Sequence, residues 1–140
     1  MTRVLISGGW DLMHYNHVLT LQQAKALGDC LIVHCVSDER MKAKKGQGRP
    51  LMTLKERIGV LLELKCVDEV FSIPGEHYPL YDAIDACNPN VVVHNVEENP
   101  DVADLQEYCD DRGIKLSLTH RINEGASTSD LLNKMRQSVA

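Results

Sequence analysis

Residues 3–36 read RVLISGGWDLMHYNHVLTLQQAKALGDCLIVHCV, and this stretch decides the fold. RVLIS (3–7) is a short apolar run with the pattern of a first strand. In HVLTLQQAKAL (17–27), Val18, Leu21, Ala24 and Leu27 fall on one helical face, and Gly28 is expected at the position just past the helix end. CLIVHCV (30–36) is continuously apolar, as in a strand buried on both faces. The connecting stretch SGGWDLMHYNHV (7–18) holds the only tryptophan and two of the six histidines. A core strand has no use for these polar groups, whereas a loop that handles phosphate does.

The alternation continues down the chain. TLKERIGVLLEL (53–64) predicts a helix capped by Thr53, with Glu56 completing a capping box. EVFSI (69–73) is a strand, and PLYDAIDAC (79–87) a short helix opened by proline. NVVVH (90–94) is a strand, PDVADLQEYCDDRG (100–113) a helix and KLSL (115–118) a strand. STSDLLNKMRQ (127–137) is a last helix, with Ser127 as N-cap and Asp130 three residues on. No repeat or long linker divides the chain, so residues 1–140 are expected to form a single domain. The expected class is α/β, a doubly wound, mostly parallel five-stranded sheet with helices on both faces.

Composition narrows the function. A chain of 140 residues, 44% hydrophobic and 25% charged, is large enough to bury a proper core. Its net charge of −5 weighs against broad binding to nucleic acid or an anionic membrane. No apolar run approaches a membrane span, and MTRVLIS is too short and too quickly polar for a signal peptide. The five cysteines form no close CxxC pair, which suggests reduced, mostly buried thiols in a cytoplasmic protein rather than a zinc site.

Open parallel sheets bind ligands at the carboxyl ends of their strands, where strand order reverses. SGGWDLMHYNHV, SDERMKAKKGQGR (37–49) and HNVEENP (94–100) all follow strands, and EGASTS (124–129) joins them if it follows the fifth. Gly8 and Gly9 permit close backbone approach to an anion. His14 and His17 are one helical turn apart and face the same way, fit either to hold a metal or to donate to phosphate oxygens. Lys42, Lys44, Lys45 and Arg49 surround Gly46 and Gly48, which suggests a flexible clamp on a polyphosphate. Ser127, Thr128 and Ser129 offer hydroxyls and helix-start amides. Each piece alone has a plainer reading: capping histidines, a solvated charge run, a simple N-cap. Their convergence on one sheet edge favours a phosphate cleft.

Together the pieces resemble a known family. GGWDLMHYNH (8–17) is similar to the GxFDxxHxGH signature of the cytidylyltransferase-type nucleotidyltransferases, EGASTSDLL (124–132) to their ISTT-type helix start, and KGQGRP with the later ER (56–57) to their lysine loop and following arginine. The resemblance runs from Arg3 to about Met135. It implies a Rossmann-like fold and, commonly, a homodimer. It places Gly8, Gly9, Trp10 and Asp11 against the nucleotide, with Trp10 where phenylalanine is usual. It places His14 and His17 at the reacting phosphates, and Lys45, or Lys42 or Lys44, on substrate and phosphate. Arg57, Ser127, Thr128 and Ser129 are implied nucleotide contacts, and Asp68, in VDEV, an acceptor contact. Asn16 stands where the signature has glycine. His94, Asn95 and Arg121 are expected near the base.

The implied reaction is nucleotidyl transfer: the phosphate of a small phosphorylated alcohol attacks the α-phosphate of a nucleoside triphosphate and pyrophosphate leaves, with Mg²⁺ accompanying the triphosphate and no metal held by the protein alone. HYNH (14–17) and the residues after it resemble the phosphoethanolamine and phosphocholine enzymes, and a short chain suits a glycerol-3-phosphate-type enzyme, so CTP is the expected nucleotide. KGQGRP resembles instead the heptose-phosphate adenylyltransferases, which makes ATP with a sugar phosphate the alternative. A reading of another class is a lapsed enzyme that serves as a nucleotide-binding regulatory module.

Overall fold

The computed structural model describes residues 1–97, 99–119 and 127–138. The elements run β1 (Arg3–Gly8), α1 (Tyr15–Lys25), β2 (Cys30–Cys35), α2 (Asp38–Lys45), α3 (Leu54–Leu62), β3 (Glu69–Phe71), α4 (Leu80–Cys87), β4 (Val91–Asn95), α5 (Ala103–Asp111), β5 (Lys115–Thr119) and α6 (Thr128–Ser138). The strands pair in the order β3-β2-β1-β4-β5, every pair parallel. Val4, Ile6, Leu31 and Val33 pack on one face against Leu21 and Ala24 of α1 and Leu61 of α3. Leu5, Ile32 and Val92 pack on the other against Leu80 and Ile84 of α4 and Leu105 and Cys109 of α5. Burial on both faces is why these strands read as unbroken apolar runs rather than alternating ones. The sheet is the expected Rossmann-like, doubly wound one. Its order reverses between β1 and β4, so the crevice lies at their carboxyl ends.

Several elements depart from the sequence expectation. Most of the segment 37–49 is not a loop, since residues 38–45 form α2. Ser37 caps α2, accepting from Arg40 N at 3.1 Å, and Asp38 and Glu39 lie in the first turn while Lys42, Lys44 and Lys45 lie in the last. That charge order matches the helix dipole. The helix buries only Met41, so it has no apolar period to read. Helix α1 begins at Tyr15 and stops at Lys25, leaving Leu27 40% exposed rather than on the core face. Gly28 is not a left-handed cap. It is small because a Cβ there would lie 2.6 Å from Thr2 O and 2.7 Å from the Val4 side chain.

Two polar side chains are fully buried between the elements. Arg57 of α3 donates from Nη1 to Gly9 O at 2.8 Å and Val36 O at 2.6 Å, from Nε to Met52 O at 3.1 Å, and from Nη2 to Asp38 Oδ1 at 2.6 Å. His34 of β2 meets Ser7 Oγ through Nδ1 at 2.8 Å and accepts from Ile73 N through Nε2 at 3.1 Å. Burial pushes its pKa down to about 4.

Both groups generate expectations for stability. Arg57→Ala leaves three buried-edge carbonyls and Asp38 without their donor, and should destabilise by about 3–5 kcal/mol. Arg57→Lys should rescue little, since an ammonium lacks the planar fork. Urea midpoints test this, and a midpoint near wild type for Arg57→Ala refutes the tie. For His34, the unfolded imidazole takes a proton near pH 6.5, whereas the native one resists until about 4. The unfolded state therefore binds more protons between those values. The contribution is complete above pH 6.5 and is lost as pH falls to 4, on the order of 3 kcal/mol. The stability difference between wild type and His34→Gln should follow that slope, and a constant difference would contradict it.

Candidate active site

The β1–α1 loop is built tightly on itself. Trp10 and Leu12 hold left-handed backbone, with φ of 57° and 50°. The Trp10 indole donates from Nε1 to His34 O at 3.1 Å and lies over Gly8, where a Cβ would come within 2.8 Å of the ring. A Cβ on Gly9 would meet the Met41 thioether at 2.8 Å. Both glycines thus make room for protein side chains as well as lining the crevice.

Asp11 is 2% exposed and its carboxylate accepts from Leu51 N at 2.8 Å, Met52 N at 3.0 Å and Arg49 Nε at 3.2 Å. Its carbonyl accepts from Thr128 Oγ1 at 2.8 Å. One residue therefore ties the α2–α3 connection and the start of α6 to the first loop.

His14 is the N-cap of α1 and His17 its third helical residue. Their rings stack with centroids 3.9 Å apart, and the Trp10 ring meets His17 edge-on at 5.6 Å. His14 N donates to His17 Nδ1 at 3.2 Å. With Nδ1 accepting, the proton of neutral His17 sits on Nε2. At the opposite wall Ser127 caps α6, accepting from Asp130 N at 3.1 Å while Asp130 Oδ2 accepts from Ser127 N at 3.1 Å.

These parts surround an open cleft of about 470 Å³ at the β1–β4 switch point. It is lined by Gly8, Gly9, Trp10, Asp11, His14, His17, Lys44, Lys45, His94, Asn95, Ser127, Thr128 and Ser129, all expected from the sequence. It also takes in Ser7, Asn16, Arg40, Arg49, Tyr78 and Glu97. Arg40, Lys44, Lys45 and Arg49 outnumber Asp11 and Glu97, so a chain of net charge −5 gathers positive charge at this one place. An anion is the fitting ligand.

Other expected residues are placed elsewhere. Lys42 does not line the cleft. Arg57 is buried behind it and holds its wall, rather than facing a nucleotide. Asp68 accepts from Leu31 N at 2.7 Å and pairs with Lys25, ahead of β3 at the amino edge of the sheet and away from the cleft. Arg121 lies outside the described residues. His94 and Asn95 line the cleft but shape their own loop: His94 Nε2 lies 3.0 Å from Asn99 O, and Asn95 Oδ1 accepts from Glu97 N at 2.9 Å. Arg40 and Tyr78, which stack as cation on ring at 5.6 Å, were not expected. The Ser37 cap ahead of an acidic pair was the available signal for Arg40, since it starts the helix that carries it.

Residues 5–133 match the family described as cytidylyltransferase-like. The FAD synthase of Thermococcus sibiricus is 33% identical over 139 residues, 95% of this chain and 91% of that protein. The bifunctional protein HldE of Helicobacter pylori is 35% identical over 136 residues, and that of Syntrophotalea carbinolica 31% over 134; each match covers 96% of this chain. The chain spans only 28% and 27% of the length of those two proteins. Among solved structures, a lipopolysaccharide core biosynthesis protein from Thermoplasma volcanium superposes with a TM-score of 0.72 at 25% identity, covering 89% of this chain and 99% of that one. With the signature loop, the stacked histidines and the α6 start converging on one cleft, the chain belongs to the cytidylyltransferase-like family.

Proposed function

We propose that this chain catalyses transfer of a nucleotidyl group from a nucleoside triphosphate to a small phosphorylated acceptor, releasing pyrophosphate. The observation that carries the proposal is the stacked His14–His17 pair opening into the same cationic cleft as Lys44, Lys45 and the start of α6. An acceptor phosphate is already an anion, so it needs no base to attack the α-phosphorus. The demand is alignment in line with the departing pyrophosphate and neutralisation of charge on the phosphate oxygens. The histidines supply fixed donors near the reacting phosphorus. Lys44 and Lys45 are point charges suited to the pyrophosphate end, and the α6 start adds first-turn amides that point toward an anion.

Mg²⁺ fits as part of the substrate. Both Asp11 oxygens already accept hydrogen bonds, and among the described residues no group of three His, Cys, Asp or Glu side chains is placed to hold a metal. The ion would be carried by triphosphate oxygens and balance their charge.

The base we assign is adenine. FAD is an adenine dinucleotide, and the synthase that makes it in T. sibiricus aligns along nearly its whole length. The side chains expected to read cytosine, His94 and Asn95, have hydrogen bonds within their own loop. Cytidine remains the second reading, favoured by the likeness of HYNH (14–17) to the phosphoethanolamine and phosphocholine enzymes.

Pyrophosphate release from ATP, CTP, GTP and UTP, each with glycerol 3-phosphate, phosphoethanolamine, sugar phosphates and riboflavin 5′-phosphate, tests both levels. ATP should give a kcat/KM at least about tenfold above CTP, because a pocket that pairs with one base leaves polar groups unmatched with the other. A CTP preference restores the cytidine reading. Binding without turnover of any pair makes the chain a nucleotide-binding module instead. His14→Ala and His17→Ala should each lower kcat by about 10²-fold, as for loss of one donor to developing charge. Their stability loss should stay near 1 kcal/mol, the scale of a helix cap. Wild-type turnover in both variants would remove the histidines from the mechanism.

A further inference from the structure

Ser7 and His34 are register partners on β1 and β2, at the carboxyl edge of the sheet. His34 is fully buried, and Ser7 lines the cleft beside Gly8. The polarity of the bond between them follows from its neighbours. Ile73 N lies 3.1 Å from His34 Nε2, and a backbone amide only donates. Nε2 therefore accepts and carries no hydrogen. A neutral imidazole has one N–H, so it sits on Nδ1 and donates to Ser7 Oγ at 2.8 Å. Burial keeps the ring neutral down to about pH 4, so the form that donates from both nitrogens is not the one present near neutrality. Among the described residues Ser7 Oγ has no other hydrogen-bond partner. Its oxygen is thus engaged from beneath, and its own hydrogen has to be directed elsewhere.

We infer that Ser7 is a ligand-binding residue whose hydroxyl hydrogen is turned into the cleft to donate to a phosphate oxygen, and that His34 is the positioning residue that turns it there. The inference rests on the nucleotidyl-transfer reading for the identity of the anion, since a phosphate oxygen is the acceptor that the cleft's cations select. That oxygen belongs either to the triphosphate or to the phosphorylated acceptor. A serine held as a donor also disfavours an ammonium or amide N–H at the same point, because two donors would then face each other.

Calorimetric titrations separate these cases. One arm titrates Mg·ATP, and separately pyrophosphate, into wild type, Ser7→Ala, His34→Asn, His34→Gln and the Ser7→Ala/His34→Gln double variant. A second arm titrates inorganic phosphate into the same proteins saturated with a non-hydrolysable ATP analogue. Ser7→Ala should weaken one arm about tenfold, the scale of one hydrogen bond to a charged group. Loss in the first arm places the oxygen on the triphosphate, and loss in the second places it on the acceptor. An asparagine amide stands near Nδ1 and can still donate to Ser7, so His34→Asn should stay within about threefold of wild type. A glutamine amide stands near Nε2 and cannot, so His34→Gln should weaken the same arm, and the double variant should lose no more than Ser7→Ala alone. Ser7→Ala binding as wild type in both arms, or additive losses in the double variant, overturns the inference. Failure of wild-type turnover with the Ser7→Ala binding loss intact would overturn the proposed reaction and leave the role of Ser7 standing.

Discussion

The guanidinium of Arg57 is the constraint on which the cleft depends. Loops that leave the carboxyl ends of parallel strands carry backbone carbonyls with no ladder partner, and a carbonyl buried without a donor is costly. Here Gly9 O, Val36 O and Met52 O converge from the β1–α1 loop, the end of β2 and the approach to α3. A planar group with five N–H donors can satisfy all of them at once, and an ammonium cannot. Asp38, partly exposed at the front of α2, supplies the balancing charge. One side chain therefore fixes how the first loop, α2 and α3 sit relative to each other before any ligand arrives.

Asp11 completes the frame from the other side, gathering Leu51 N, Met52 N and Thr128 Oγ1. Between these two anchors the chain holds Trp10 and Leu12 in left-handed backbone, which for residues with a Cβ costs roughly 1–2 kcal/mol each. That strain persists because the surroundings over-determine the loop: the indole is hydrogen-bonded to His34 O and covers Gly8. The loop is consequently over-determined just ahead of His14 and α1, and charge stabilisation by fixed donors, as in the proposed reaction, would need such support.

Much of this was legible because it is local. The apolar runs gave the strands, and the Thr53–Glu56 and Ser127–Asp130 pairs gave two helix starts that the structure places where expected. Helix α2 was hidden because it buries a single side chain and is otherwise charged. The signature could place Arg57 and Asp11 at the cleft but not say which way they face, since their partners lie 48 and 40 residues away and are backbone groups of any residue type. Asp68 illustrates a different failure. It precedes β3 rather than following it, and in a parallel sheet a residue ahead of a strand lies at the amino edge, opposite the ligand. The strand pattern alone contained that correction, against the motif.

Helix α2 is anchored unevenly. Helix α2 is tied at its front by Asp38 to Arg57, and by Ser37 Oγ donating to Gly75 O at 2.7 Å. Its back end, residues 42–48, is exposed. Lys44 and Lys45 therefore ride on the exposed end of a helix whose C-terminal carbonyls already favour cations. On the proposed reaction, a triphosphate in the cleft would offer those lysines a stronger anion than the helix terminus does. The loop ahead of the histidines is held instead by hydrogen bonds from the Trp10 indole to His34 O and from Arg57 to Gly9 O. Under the proposed reaction, closure by this geometry would be one-sided: the cationic wall would come to the histidines, and alignment at phosphorus would be set before the charge at the pyrophosphate end is neutralised.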